Sequence, residues 1–125
     1  MSDEYLNYLQ DILSPLGDIS KGRLFGLRTL KYNNLQFAMF NGETLFFAVN
    51  VQTRDTYLEA DSPPFSYVTK YGRTEVHKYY EVPGEVLDDE DTIQEWARVS
   101  IDAARTPDKK SADAAAKARK RLGLD

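Results

Sequence analysis

The sequence predicts a single α+β domain, in which one antiparallel sheet of about five strands is flanked by an N-terminal helix, a short middle helix and a C-terminal helix. Three observations support this fold. Apolar residues recur at helical spacing near both ends of the body, two pairs of strand-like segments flank tight-turn residues, and helices do not alternate regularly with strands. The last observation favours α+β over a parallel α/β fold.

The first element is a short amphipathic helix. Ser2 or Asp3 can cap its start, and Pro15 with Gly17 ends it. Its apolar stripe consists of Tyr5, Leu6, Leu9, Ile12, Leu13 and Leu16. Residues 19–30 mix apolar and polar side chains around Gly22 and Gly26, which predicts a strand with a bend or bulge at a glycine.

The clearest local signal is a β-hairpin at Asn41-Gly42, a pair that can adopt the positive φ of a tight turn. The pair is flanked by residues 35–40 and 44–49. Both faces of this hairpin are apolar, with Phe37 and Met39 opposite Ala38 and Phe40, and with Leu45 and Phe47 opposite Phe46 and Ala48. We therefore expect a central strand pair that helices or a second subunit cover on both sides.

The second half of the predicted domain contains a short helix, a second hairpin and a closing helix. Asn50 is a good cap for a short helix over residues 51–60, and residues 65–69 and 74–82, joined through 70–73, predict a second hairpin. Pro83-Gly84 ends the second strand of this hairpin. Asp89 or Asp91 caps a closing helix whose sheet-facing side carries Ile93, Trp96, Ala97, Ser100, Ile101 and Ala104.

Composition bounds the class of protein. The 125 residues suit one domain, and the absence of cysteine excludes disulfides and zinc–thiolate sites. The apolar runs are too short to span a membrane and the acidic start lacks the features of a signal peptide, so we expect a cytoplasmic protein without membrane contact. Residues 1–105, the predicted domain, carry ten Lys/Arg and seventeen Asp/Glu. Residues 106–125, a tail predicted to be helical or disordered, carry six Lys/Arg and three Asp.

Several segments resemble the N-terminal domain of the TfoX/Sxy family of competence regulators. They are residues 23–26 (Arg-Leu-Phe-Gly), 37–39 (Phe-Ala-Met), 79–83 (Tyr-Tyr-Glu-Val-Pro), 85–89 (Glu-Val-Leu-Asp-Asp) and 95–97 (Glu-Trp-Ala), with further similarity at Thr53-Arg54, Tyr57 and Pro64-Phe65. One departure is Leu27-Arg28-Thr29 after Gly26, where relatives often carry a Gly- and Tyr-rich or Ser- and Tyr-rich run.

The resemblance implies a secretion-chaperone-like α+β fold and a non-enzymatic role in protein interaction linked to transcription regulation. It implies no catalytic residues, cofactor or metal. The leading hypothesis is therefore a regulatory module, expected to be a homodimer, that binds a protein partner. Paired tyrosines on strands can anchor such a partner, and the candidates are Tyr67, Tyr71, Tyr79 and Tyr80.

The alternative is a nucleic-acid-associated accessory protein, because the basic tail can contact phosphates weakly and without reading bases. The residues concerned are Lys109, Lys110, Lys117, Arg119, Lys120 and Arg121. A third hypothesis, a small enzyme, has only Glu75 and His77 and the acidic run Asp88–Asp91 in its favour. That run is better explained by the dipole and free amides of the following helix than by a metal, and Lys21-Gly22-Arg23 lacks the glycine spacing of a phosphate loop.

Overall fold

The computed structural model describes residues 2–24 and 26–106. In chain order its elements are α1 (Ser2–Leu13), a 3-10 turn (Ser14–Leu16), β1 (Ile19–Leu24), β2 (Leu27–Tyr32), β3 (Leu35–Asn41), β4 (Thr44–Ala48), α2 (Arg54–Glu59), β5 (Pro64–Thr69), β6 (Gly72–Glu81), α3 (Gly84–Leu87) and α4 (Glu90–Arg105). The strands form one antiparallel sheet in the order β1-β2-β3-β4-β6-β5. The predicted α+β class, with a single antiparallel sheet and terminal helices, is confirmed.

The sixth strand arises where one bent strand was predicted. Residues 19–32 form two strands, β1 and β2, that pair from Ile19–Tyr32 to Leu24–Leu27. Gly26 lies in the turn between them with φ of 82°, a conformation that glycine adopts without steric cost. The glycine was recognised as a break in the strand, but it reverses the chain instead of bending it.

The helices all pack on one face of the sheet, and the main core lies beneath them. Leu6, Leu9 and Leu13 of α1 and Ile93, Ala97 and Ile101 of α4 are buried against β3 and β4 in a single cluster. Trp96 packs edge-on against Tyr57 of α2, with ring centroids 4.9 Å apart. The predicted sheet-facing side of α4 is thus confirmed, and α2 is shorter than the predicted residues 51–60.

The N-cap residue of α2 is Thr53 and not the predicted Asn50, because the helix begins later than predicted and Asn50 orders the turn that precedes it. Its Oδ1 accepts hydrogen bonds from the backbone N–H groups of Gln52 and Thr53, and Thr53 Oγ1 accepts one from the Asn50 N–H. The Asn50 Nδ2 donates to the backbone oxygen of Thr106, just after α4. One buried amide therefore fixes the start of α2 and the end of α4.

A bulge at Phe37 changes the predicted faces of β3. Leu30 pairs with Ala38 and Lys31 with Gln36, so Phe37 has no partner on β2. The extra residue shifts the alternation, and Phe37 joins Ala38 and Phe40 in the helix-covered core while Met39 alone faces the other side. The prediction that grouped Phe37 with Met39 is wrong for this reason. Ser100 of α4 donates from Oγ to the Phe37 carbonyl at 2.8 Å and so fixes the bulge.

A larger irregularity divides β6 between two partners. Tyr80 pairs with Pro64, but Val76 already pairs with Phe65, so residues 77–79 have no partner on β5. Here β6 turns to pair with β4 through Phe46–Glu81, Phe47–Tyr80 and Ala48–Tyr79. The outer part of the β5–β6 hairpin consequently extends beyond the sheet as an arm, which we define as residues 65–76.

The face opposite the helices carries only a small apolar cluster. Met39, Phe46 and Phe65 are buried there, with Leu27, Val76 and Tyr79 packed around them. The Phe46 and Phe65 rings meet edge-on with centroids 5.3 Å apart. Sequence analysis predicted cover on both faces, and the described residues supply helices to only one of them.

Candidate functional site

The uncovered face contains a groove of about 780 Å³. We call it the sheet groove. Its lining is largely apolar and comes from five strands: Leu24, Leu27, Met39, Asn41, Phe65, Ser66, Tyr67, Val68, Val76 and Tyr79. A concave apolar surface with a few polar groups is the usual form of a binding site.

The two walls of the sheet groove come from hairpins that are distant in sequence. Leu24 and Leu27 flank the β1–β2 turn and form one wall, and residues of the arm form the other. β1 in the first wall and β5 in the second are the two outermost strands in the sheet order. Two ends of a sheet can line one groove only if the sheet is strongly curved, which its right-handed twist and the bulges at Phe37 and residues 77–79 promote.

The edge of β5, not only one of its faces, borders the sheet groove. Successive side chains of a strand point to opposite faces, so a groove lying on one face contacts every second residue. Four consecutive residues, 65–68, line this groove. Val68 is 79% exposed and Tyr67 is 47% exposed, so both present apolar surface to an incoming molecule.

A hydrogen bond holds the base of the groove. Gln36 Nε2 on β3 donates to Tyr79 Oη on β6 at 2.9 Å, across the intervening strand β4. Burial raises the pKa of Tyr79, and the bond from Gln36 opposes this rise without cancelling it. Tyr79 is therefore a neutral, oriented hydroxyl. Gln36 was not recognised from the sequence, because its partner lies 43 residues away.

The four tyrosines named as partner contacts are separated by the fold. Tyr67 and Tyr79 line the sheet groove, and Tyr71 lies at the tip of the arm, 87% exposed. Tyr80 is only 2% exposed and packs on the helix-covered side near Tyr57. The alternation of β6 places Tyr79 and Tyr80 on opposite faces, so a partner in the groove meets Tyr67 and Tyr79, and Tyr71 lies outside the lining.

The charges near the sheet groove differ from those of the rest of the body. Residues 19–32 contain Lys21, Arg23, Arg28 and Lys31 and no acidic residue, and residues 62–74 contain Lys70 and Arg73 and no acidic residue. These stretches include the two turns that bound the groove. Lys70 and Arg73 at the arm's turn therefore give the groove a basic rim on one side, whereas the alternation of β1 and β2 places Arg23 and Arg28 on the face opposite Leu24 and Leu27.

The pair from the enzyme hypothesis, Glu75 and His77, forms a surface contact. His77 Nε2 lies 3.4 Å from Glu75 Oε1, and His77 Nδ1 lies 2.9 Å from the hydroxyl of Tyr80. Neither Glu75 nor His77 lines the sheet groove. Their evident effect is structural, since His77 holds the buried Tyr80 hydroxyl at the point where β6 changes partners.

The other polar candidates act in capping and packing. Asp89 is the N-cap residue of α4 and accepts a hydrogen bond on Oδ2 from Thr92 Oγ1. In residues 2–24 and 26–106, no three His, Asp or Glu side chains are grouped to hold a metal. Lys21 Nζ donates to Asn7 Oδ1 of α1. The basic residues of 106–125 proposed for nucleic-acid contact lie outside the described residues.

Comparison with known protein families identifies a match over most of the chain. A family model described as the TfoX N-terminal domain matches residues 11–104, from within α1 to the last turn of α4. No curated protein matches the chain. Among the described elements, no helix is both long enough and apolar enough to cross a membrane.

Proposed function

Because this chain belongs to the TfoX N-terminal domain family, we propose that it is a regulatory protein-interaction module, similar to the domain of competence regulators, that binds its partner in the sheet groove. The family is not known as an enzyme family. One observation carries the proposal. The groove opens on the face that the helices of the described residues leave uncovered, and its exposed lining is apolar.

Physical chemistry supports binding over a purely structural role for this surface. Exposed apolar area is costly in water, at roughly 25 cal/mol per Å². Leu24, Tyr67 and Val68 are all exposed around one concavity, whereas the exposed Tyr8, Leu58 and Val99 belong to three separate helices. Clustered apolar exposure of this kind marks interaction sites. A partner that covers the groove gains the burial that the isolated domain lacks.

The test uses charged substitutions in the groove with matched controls elsewhere. Tagged protein is incubated with an extract of the source cells, and captured proteins are identified by mass spectrometry. Leu24→Glu and Val68→Glu should remove the specific partner, because each places a charge on the apolar lining. Leu58→Glu on α2 and Val99→Glu on α4 change equally exposed residues outside the groove and should retain it. Equal capture by all four variants would rule out the groove.

Self-association is the second expectation for this module. The predicted homodimer should appear in size-exclusion chromatography with light scattering at tens of micromolar, a range in which weak dimers are populated. A monomer at that concentration would remove the homodimer from the proposal while leaving a foreign partner. Deletion of residues 107–125 tests the nucleic-acid alternative, which requires that retention on DNA at low salt be lost with the basic tail.

A further inference from the structure

We propose that the sheet groove takes an extended segment of the partner, flanked by acidic residues, which adds to the free edge of β5 as a seventh strand. This rests on the proposed function and specifies the chemistry of the partner. Strand addition combines backbone hydrogen bonds at a sheet edge with side-chain pockets beside it. The arm offers both features next to one another.

The backbone of β5 has hydrogen-bonding groups to offer. β5 is the last strand in the sheet order, and no described strand pairs with its outer edge. The hairpin closes at the Thr69–Gly72 pair around a two-residue loop. In such a hairpin the closing pair is hydrogen-bonded, and the backbone groups of alternate residues then point away from the partner strand. This directs the N–H and C=O groups of Ser66 and Val68 to the outer edge.

The β5 edge also lacks the usual protection against pairing. Natural edge strands are blocked by charged side chains, prolines or bulges. The other edge strand, β1, carries Lys21 and Arg23. In β5 the only such residue is Pro64 at its start, and residues 65–69 are uncharged. The exposed Val68 and Tyr67 instead favour a β-structured neighbour.

The groove determines the side chains of the added segment. Because side chains alternate along a strand, every second residue of a segment on the β5 edge faces the apolar lining formed by Met39, Phe65 and Val76. The segment should therefore carry β-branched or aromatic residues at alternate positions. The lining provides few polar groups for phosphates or bases, which favours a peptide over a nucleic acid.

Charge defines the end of the segment beside the arm's turn. Lys70 and Arg73 lie at this turn and form the basic rim of the groove. Acidic residues that flank the apolar core of the partner would complement this rim. The same rim disfavours the chain's own tail, because residues 106–125 carry six Lys/Arg against three Asp. The occupant is consequently a segment of another protein.

The test uses a synthetic probe and four variants of the full chain. The probe is a fluorescent peptide, Asp-Glu-Val-Thr-Val-Thr-Val-Thr-Asp-Glu, and its counterpart has lysine in place of each acidic residue. Val68→Pro removes the outward N–H and introduces a ring at the edge, a change that edge strands tolerate. Val68→Thr keeps the N–H and the branched side chain. Lys70→Glu reverses a rim charge, and Arg98→Glu reverses an exposed charge on α4.

Specific changes in fluorescence anisotropy are expected. Val68→Pro should weaken binding of the acidic probe by about tenfold, the loss of one backbone hydrogen bond together with the steric block. Val68→Thr should stay within about twofold, Lys70→Glu should weaken binding by about threefold, and Arg98→Glu should leave it unchanged. The lysine-flanked peptide should bind more weakly than the acidic probe.

Amide exchange provides a test that needs no substitution. In isotope-labelled wild-type protein, the Ser66 and Val68 amide protons should exchange rapidly alone and slowly with the acidic probe. This measurement decides the question if Val68→Pro does not fold. Protection at Ser66 and Val68 supports strand addition, and unchanged exchange at both overturns it.

The outcomes separate this inference from the function on which it rests. If Leu24→Glu abolishes partner capture but Val68→Pro does not, the groove binds its partner without strand addition, and only the inference fails. If the acidic probe does not bind at about 1 mM, or if an oligothymidylate or decanoate binds the groove in its place, the inference is overturned. If all groove variants capture the partner equally, the proposed function fails as well.

Discussion

Replacement of Ser100 by alanine should destabilise the domain far more than its size suggests. The Ser100 side chain is 1% exposed, and its Oγ donates at 2.8 Å to the carbonyl of Phe37, the bulged residue that has no partner on β2. Alanine removes this buried hydrogen bond from the Phe37 carbonyl. A net hydrogen bond contributes about 0.5–1.5 kcal/mol. We expect a loss of about 1 kcal/mol.

Urea unfolding followed by circular dichroism would measure this loss. For a domain of this size, 1 kcal/mol should lower the urea midpoint by about 0.5 M and the Tm by roughly 4 °C. Ser14→Ala is a matched control, because Ser14 Oγ also donates to a backbone carbonyl, that of Asp11, at 2.7 Å, but at an exposed site. It should change the free energy of unfolding by less than about 0.5 kcal/mol. A Ser100→Ala loss no larger than that of Ser14→Ala would refute the argument.

Three further predictions concern stability. Thr29 is fully buried and its Oγ1 lacks a hydrogen-bond partner among the described residues. Thr29→Val should therefore raise the free energy of unfolding by about 1 kcal/mol in the same urea assay, and a lower free energy of unfolding would contradict this. Asn50→Ala should cost about 2–3 kcal/mol, because it removes the side-chain bonds to the turn before α2 and the bond to Thr106 together, whereas exposed Gln52→Ala should be nearly neutral. Burial raises the pKa of Tyr57 above its ordinary value of 10.0, because the buried hydroxyl is favoured in its neutral form. The stability that the neutral hydroxyl contributes is therefore complete below pH 10 and declines as pH rises above it. Urea midpoints at about pH 8 and pH 10.5 should therefore fall less for Tyr57→Phe than for the wild type; equal falls would exclude Tyr57 as the cause.

Local patterns were sufficient to predict most elements. The apolar stripes of α1 and α4 repeat at helical spacing, and the Asn41-Gly42 pair sits at the end of β3, with Gly42 at φ of 64°. Each of these signals depends on neighbours within a few residues. The division of residues 19–32 into two strands was missed because a glycine signals a break without indicating whether the chain bends or reverses.

The site was harder to predict because bulges decide which side chains share a face. The extra residue at Phe37 moves its ring into the core, and the irregular pairing of residues 77–79 transfers β6 from β5 to β4. No glycine or proline marks the bulge in β3, and Pro64 at the second irregularity does not by itself predict a change of partner. Leu24 and Val68 line the same groove only after the sheet has curved, and no local sequence pattern encodes a contact between such distant strands.

The attachment of the arm has a consequence for local unfolding. Five residue pairs between β5 and β6 hold the arm together, with the turn pair Thr69–Gly72 among them, whereas the three pairs that join β6 to β4 involve residues 79–81, outside the arm. The arm can therefore detach from the sheet as an intact hairpin at a smaller free-energy cost than that of opening the core beneath α4. Partial opening of this kind divides a domain into separate cooperative units. The hairpin that forms one wall of the groove thus belongs to the less stable unit of the domain, while the core beneath the helices maintains the fold.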